Sequence, residues 1–168
     1  MTDINTALAA SKAAIDQLIE SGECCGPEWS APRAPGKWSP SQIVEHVARS
    51  LEESANMAAG RPSKFPKLPG MVRPLVRGLL FKRVLRKGAF PKAKTNKAMN
   101  PLSGPPTPAD GRVRLETAHD IFDAACRQLA TLDGRMQTTV FGVVPVADYI
   151  RFMELHTRHH GKQMPKRR

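Results

Sequence analysis

A chain of 168 residues, 40% of them hydrophobic, suits one compact domain that buries about two-thirds of its surface, and no apolar run approaches the ~20 residues of a membrane span. Of its 26 Lys and Arg residues, 12 lie between Arg61 and Lys97 with no acidic residue among them, leaving 14 basic against 15 acidic residues elsewhere. The net charge of +11 therefore belongs to one segment, which excludes a domain that is cationic throughout. Met1-Thr-Asp-Ile lacks the opening of a signal peptide, and Cys24, Cys25 and Cys126 match neither a zinc-ribbon spacing nor an even disulfide framework. The expectation is a single cytoplasmic domain, 1–168, with reduced cysteines.

Residues 3–21 place Ile4, Leu8, Ser11, Ile15 and Leu18 on one stripe and predict a first helix with Gly22 as its stop. The run from Gly26 to Gly36 holds three prolines and reads as a connection. Ser39 as N-cap, Pro40 at the first helical position and Gln42 closing a capping box predict a second helix over 40–59, with Trp38 stapling onto Ile43. Its stripe is Ile43, Val44, Val47, Leu51, Ala55 and Ala58, and His46 lies at the stripe's edge.

Residues 61–108 change in character to Pro, Gly, Lys and Arg. They frame one amphipathic patch near Leu75–Leu85, which predicts a short helix inside a basic lid. A third helix follows over 109–132, with a stripe of Ala118, Ile121, Phe122, Ala125, Leu129 and Leu132. His119 falls off that stripe and reads as a solvated or rim residue. Thr138 to Val144 is a β-prone link before Pro145.

The last helix, over 146–164, carries the chemistry. At ~100° per residue Tyr149, Met153, His156, His160 and Met164 share roughly 80° of arc, with Leu155 on the far side beside Arg151, Arg158 and Lys162. Two imidazoles four residues apart on an apolar face reach a single ion at ~2.0–2.1 Å, while His159 projects about 80° away. Hydrogen-bonded core histidines are the competing reading, but two polar rings on a dry stripe then each need a partner. The Glu of a zinc-protease HExxH helix is absent, since Thr157 follows His156. Glu53 is the nearer carboxylate for a supporting role, because Glu45 points about 100° from His46.

The helix start Trp38-Ser-Pro-Ser-Gln-Ile-Val-Glu-His46, and Phe141-Gly142 with Tyr149 and His156-Thr-Arg-His159-His160-Gly-Lys-Gln163, resemble the DinB/YfiT-like superfamily of metalloenzymes. The second block is similar to the FG…W…HxxHHxxQ pattern of a branch with no assigned function, with Tyr149 in place of Trp and Pro145 where a capping Thr is common. The resemblance covers most of the chain. It implies an all-α four-helix bundle, in which the basic insert between helices 2 and 3 is more extreme than the motif requires. It also implies metal ligands at His46, His156 and His160 for zinc, nickel or iron, and in some members a low-molecular-weight thiol cofactor for transferase or isomerase chemistry.

The first functional expectation is thus a metal-dependent transferase, isomerase or hydrolase acting on a small, anionic substrate, in a monomer or homodimer. The alternative is a non-catalytic module whose 61–97 segment contacts anionic lipid, nucleic acid or an acidic partner. Nucleic acid and membrane surfaces are disfavoured, because the segment lacks the interleaved aromatics of a stacking surface. A third reading joins the two, with the insert's cations selecting an anion above the metal pocket.

Overall fold

The computed structural model describes residues 3–91 and 95–165, so Lys92 and Lys94 of the cationic run lie outside the described residues. Asp3 opens α1 (Ile4–Glu23) by accepting from the Thr6 amide at 3.2 Å, and Leu8, Ser11, Ile15 and Leu18 are buried along the marked stripe. Gly22 does not stop the helix. It lies inside α1, where a Cβ would stand 3.1 Å from the Trp29 ring, and Gly111 leaves room for the same ring, its Cβ position being 2.7 Å away. The Trp29 indole is slotted against both glycines and donates from Nε1 to the Pro105 carbonyl at 2.8 Å. One buried side chain thus orders the proline-rich connection, which also holds a 3-10 turn at Gly26–Glu28.

Both halves of the capping box form at α2 (Pro40–Ala58): Ser39 Oγ accepts from the Gln42 amide at 3.3 Å, and Gln42 Oε1 accepts from the Ser39 amide at 3.0 Å. Ser41 Oγ donates to the Pro105 carbonyl at 2.8 Å, which clamps the returning 100–108 segment onto the start of α2. The approach is closest at Gly104, where a Cβ would lie 2.1 Å from the Ser41 carbonyl oxygen. That contact is with backbone, so no side chain can give way. Gly104→Ala is expected to lower stability by about 1–3 kcal/mol with helix content retained. An unshifted urea midpoint would show that the clamp does not exist.

The bundle consists of α1, α2, α5 (Pro108–Leu132) and α6 (Val146–Gly161), with α2 along α5, α1 along α6, and α1 also packed on α5. Glu45, pointing away from His46, pairs with Arg114 of α5 at 3.0 Å. The face that α5 buries differs from the expected one. Gly111, Leu115, Ala118, His119, Phe122 and Cys126 are buried, while Ile121 is 43% and Leu132 76% exposed. This helix carries two apolar lines, and α1 and α2 cover the one that contains His119. His119 is accordingly buried and not at a rim, and its Nε2 has no hydrogen-bond partner. Leu155 is also buried, against expectation, because α6 is covered by α1, by α2 and by the Lys82–Lys87 helix of the insert, which enclose it on several sides.

Between α5 and α6 the β-prone link folds as a hairpin. β1 (Arg135–Thr138) pairs antiparallel with β2 (Gly142–Pro145), Met136 opposite Val144, and Gly142 takes a positive φ of 72° at the turn. The amphipathic patch of the insert forms α3 (Arg73–Val76), continuing through a π-helical turn, Arg77–Phe81, into α4 (Lys82–Lys87). Its inner side is tied down at several points. Phe81 and Val84 are buried, the Phe81 ring lies 5.1 Å from both Phe141 and Phe152, and Arg77 donates to the Val143 carbonyl at 3.0 Å. The Leu68 amide donates to the Thr139 carbonyl at 3.0 Å.

Candidate metal centre

His46 comes from the N-terminal half of α2, where the Ser39 cap fixes the helix start and so the direction of residue 46. His156 and His160 lie one turn apart on α6. The structure brings these three together and leaves His119 on the α1 side of α5 and His159 beside, not within, the cluster. His156 Nε2 lies 3.2 Å from His46 Nε2 and 3.2 Å from His160 Nε2, and one ligand atom of each residue lies within 4.8 Å of the other two. His46 and His160 are buried, and His156 has one edge open to a cleft.

The other ring nitrogens decide what these atoms offer. His46 Nδ1 is 2.8 Å from the Met99 carbonyl and must donate to it, which leaves Nε2 as a lone pair. His160 Nδ1 lies 3.1 Å from Gln163 Oε1, with the same consequence, and Gln163 Nε2 in turn donates to His159 Nε2 at 3.1 Å. Gln163 therefore sets the tautomer of His160 and holds the neighbouring ring. His156 Nδ1 is buried with no partner. As an Nε2–H tautomer His156 satisfies only one of two facing acceptors, and as an Nδ1–H tautomer it adds a third converging lone pair.

That donor set fits a cation. At bond lengths of ~2.0–2.1 Å, nitrogens 3.2 Å apart subtend about 100° at a shared ion, near the tetrahedral angle. A tetrahedral pair at these bond lengths is about 3.3 Å apart, so a pair as wide as 4.8 Å closes by about 1.5 Å on capture. Burial is the main cause holding all three imidazoles below their ordinary pKa. His160 is lowered to about 3, His46 is lowered, and His156 is pushed well below by burial and then by His160 and His46. Neutral imidazole, the ligand form, is the state at pH 7.

Around the cluster lies a cleft of about 800 Å³. Trp38 forms one wall, its ring 4.7 Å from His46 and 5.9 Å from His160, and its Nε1 donates to Asn100 Oδ1 at 3.1 Å. In sequence Trp38 reads as a staple and as the start of the motif that ends at His46, and its place two turns before His46 is the signal for a wall of the site. Phe90 approaches His156 edge-on at 5.5 Å, and Phe65 and Leu80 add further apolar wall from the insert. Glu53 is not in the cleft: it is buried and accepts from the Lys64 amide at 2.7 Å, pinning the start of the insert. Among the described residues, no carboxylate and none of the insert's Lys or Arg residues lines the cleft. Its cations are Arg33, Lys37 and Lys162.

No curated protein and no solved structure matches the chain. The three-histidine cluster is carried on a bundle that the family model of the DinB superfamily matches over residues 7–164, nearly the whole sequence, and the chain belongs to that superfamily.

Proposed function

We propose that the protein is a divalent-metal-dependent enzyme in which His46, His156 and His160 hold the ion and the substrate is a small anion, with a low-molecular-weight thiol as co-substrate or cofactor. The observation that carries this reading is the convergence of three Nε2 atoms, two of which Met99 and Gln163 leave as free lone pairs. When bound, an ion with three nitrogen ligands and open positions supplies Lewis acidity, and zinc, nickel and iron all suit the set.

The remaining work falls to the chain's own side chains. Arg33, Lys37 and Lys162 give the cleft a positive field without an opposing carboxylate among its described lining residues, which favours a carboxylate or phosphate on the substrate. Phe65, Leu80 and Phe90 keep water from the histidine edge, so that the insert serves as the lid. His159 is the titratable side chain left in the cleft once ligands and cations are set aside. Burial, then Lys162, lowers its pKa, so it is neutral at pH 7, and it takes up a proton only by giving up the bond that its Nε2 accepts from Gln163.

Cobalt(II) tests the reading. Protein loaded with one equivalent is expected to show visible bands that shift on titration with mercaptoacetate, a thiol bearing a carboxylate. Lys37→Gln/Lys162→Gln should need roughly tenfold more of it for the same shift. A protein that takes up no divalent ion, or bands indifferent to thiol and carboxylate alike, removes the assignment.

A further inference from the structure

The outer face of the α3–α4 helix is unlike any other surface of the molecule. Met71 is 94%, Val72 39%, Leu75 61% and Leu79 66% exposed, which places half of the large exposed hydrophobic residues among those described within nine positions. Met71, Leu75 and Leu79 recur every four residues and so form one stripe. Directly after it on the same exposed side come Lys82, Arg83, Arg86 and Lys87. The opposite side is the one buried through Phe81 and Val84, and Leu80 faces the histidine cleft. The pattern is an apolar patch abutting a cationic one, on a helix fastened to the protein by its other face.

From these observations we infer that this face docks on the surface of an anionic phospholipid bilayer, with Met71, Leu75 and Leu79 entering the headgroup boundary and Lys82, Arg83, Arg86 and Lys87 meeting the lipid phosphates. Charge complementarity carries the choice of occupant. No acidic residue occurs between Arg61 and Pro108, and among the described residues none of the segment's cations takes part in an ion pair. Nucleic acid fits less well, because Phe81 is buried and Phe65 and Phe90 turn into the cleft, which leaves only aliphatic side chains outside and nothing for bases to stack on. A second copy of the chain would set two unpaired cationic runs against each other. Among the described residues no helix is long and apolar enough to cross a membrane, so the contact is one of lying on the surface. Docking would seat the bilayer on the back of the wall that bounds the cleft, and the inference is independent of what the histidines bind.

Co-sedimentation of the full chain with phosphatidylcholine vesicles containing about one third phosphatidylserine tests it. Binding is expected with these vesicles, little with phosphatidylcholine alone, and a marked loss at high salt. Leu75→Ser/Leu79→Ser should reduce partitioning by roughly tenfold while circular dichroism stays unchanged, since both side chains are in solvent. A Val113→Ser control, an exposed apolar residue on α5, should bind as the wild type does. No binding to the anionic vesicles overturns the inference. So does equal binding of the double variant, which would reduce the contact to charge alone, or retention by RNA in preference to the vesicles.

Discussion

Replacement of His156 by alanine is expected to weaken divalent-ion binding by roughly 100-fold or more, because it removes the ring whose Nε2 stands between the other two at 3.2 Å from each. His46→Ala and His160→Ala remove outer members of the same set and should act alike. His159→Ala should leave affinity within about threefold, since that ring points its Nε2 at Gln163 and not at the cluster. Gln163→Leu is the discriminating case: it frees His160 Nδ1 from its acceptor and lets the proton move to Nε2, so affinity should fall by about 10–100-fold with all three ligands still present. Loss by unfolding is separable. His156 Nδ1 has no partner in the fold and its Nε2 satisfies at most one of the two facing nitrogens, so metal-free His156→Ala loses at most one hydrogen bond and its thermal midpoint should fall only modestly, with helix content retained. Competition titration against a chromophoric chelator gives the affinities. Retained binding in His156→Ala together with loss in His159→Ala would mean that the wrong face of α6 has been assigned.

Much of this geometry is legible in the sequence because it follows from local rules. The Ser39-Pro40-Gln42 start fixes the phase of α2, and a four-residue spacing places His156 and His160 on one side of α6 whatever packs against them. What was not legible depends on which helix covers which. The two apolar lines of α5 have similar periodicity, and only the positions of α1 and α2 select the line with His119 over the one with Ile121 and Leu132. Gly22 at the end of an apolar stripe reads as a stop, yet it makes room for a tryptophan seven residues on. The direction of the cations is hidden for a related reason: a charge run shows how much positive charge there is and not where it points. Arg33 and Lys37, in a connection that drew no functional attention, line the cleft, while Arg73 and Arg77 spend their guanidinium groups on backbone carbonyls.

Acidification of the chelated protein should produce the second large effect. In the unfolded chain each histidine titrates near pH ~6.5. In the folded chain His160 is lowered to about 3 by burial, then by His46 and His159, with the Gln163 bond opposing; His156 and His46 are lowered for the same leading reason. Between those values the unfolded state binds more protons than the native one, so stability is at its full value above pH ~6.5 and declines as pH falls below it. His160 alone contributes a loss of about 2 kcal/mol between pH 7 and pH 5, and His156 and His46 add to it in the same direction. Buried His119, lowered by burial despite Asp123, adds a further part that has nothing to do with the cluster. Ordinary carboxylates remain ionised over most of this interval, so the slope reports mainly the histidines. Thermal midpoints in the presence of chelator should therefore fall steeply from pH 7 to pH 5. In a His46→Gln/His156→Gln/His160→Gln variant most of that fall should disappear, leaving the share due to His119 and His159. An ion that binds only the folded state should raise the wild-type midpoint at pH 7 and lose that effect on acidification, as protons compete for the same nitrogens. A chelated wild type whose midpoint is flat from pH 7 to pH 5 would mean that the three rings are hydrated in solution, and that the dry, convergent cluster does not persist without its ion.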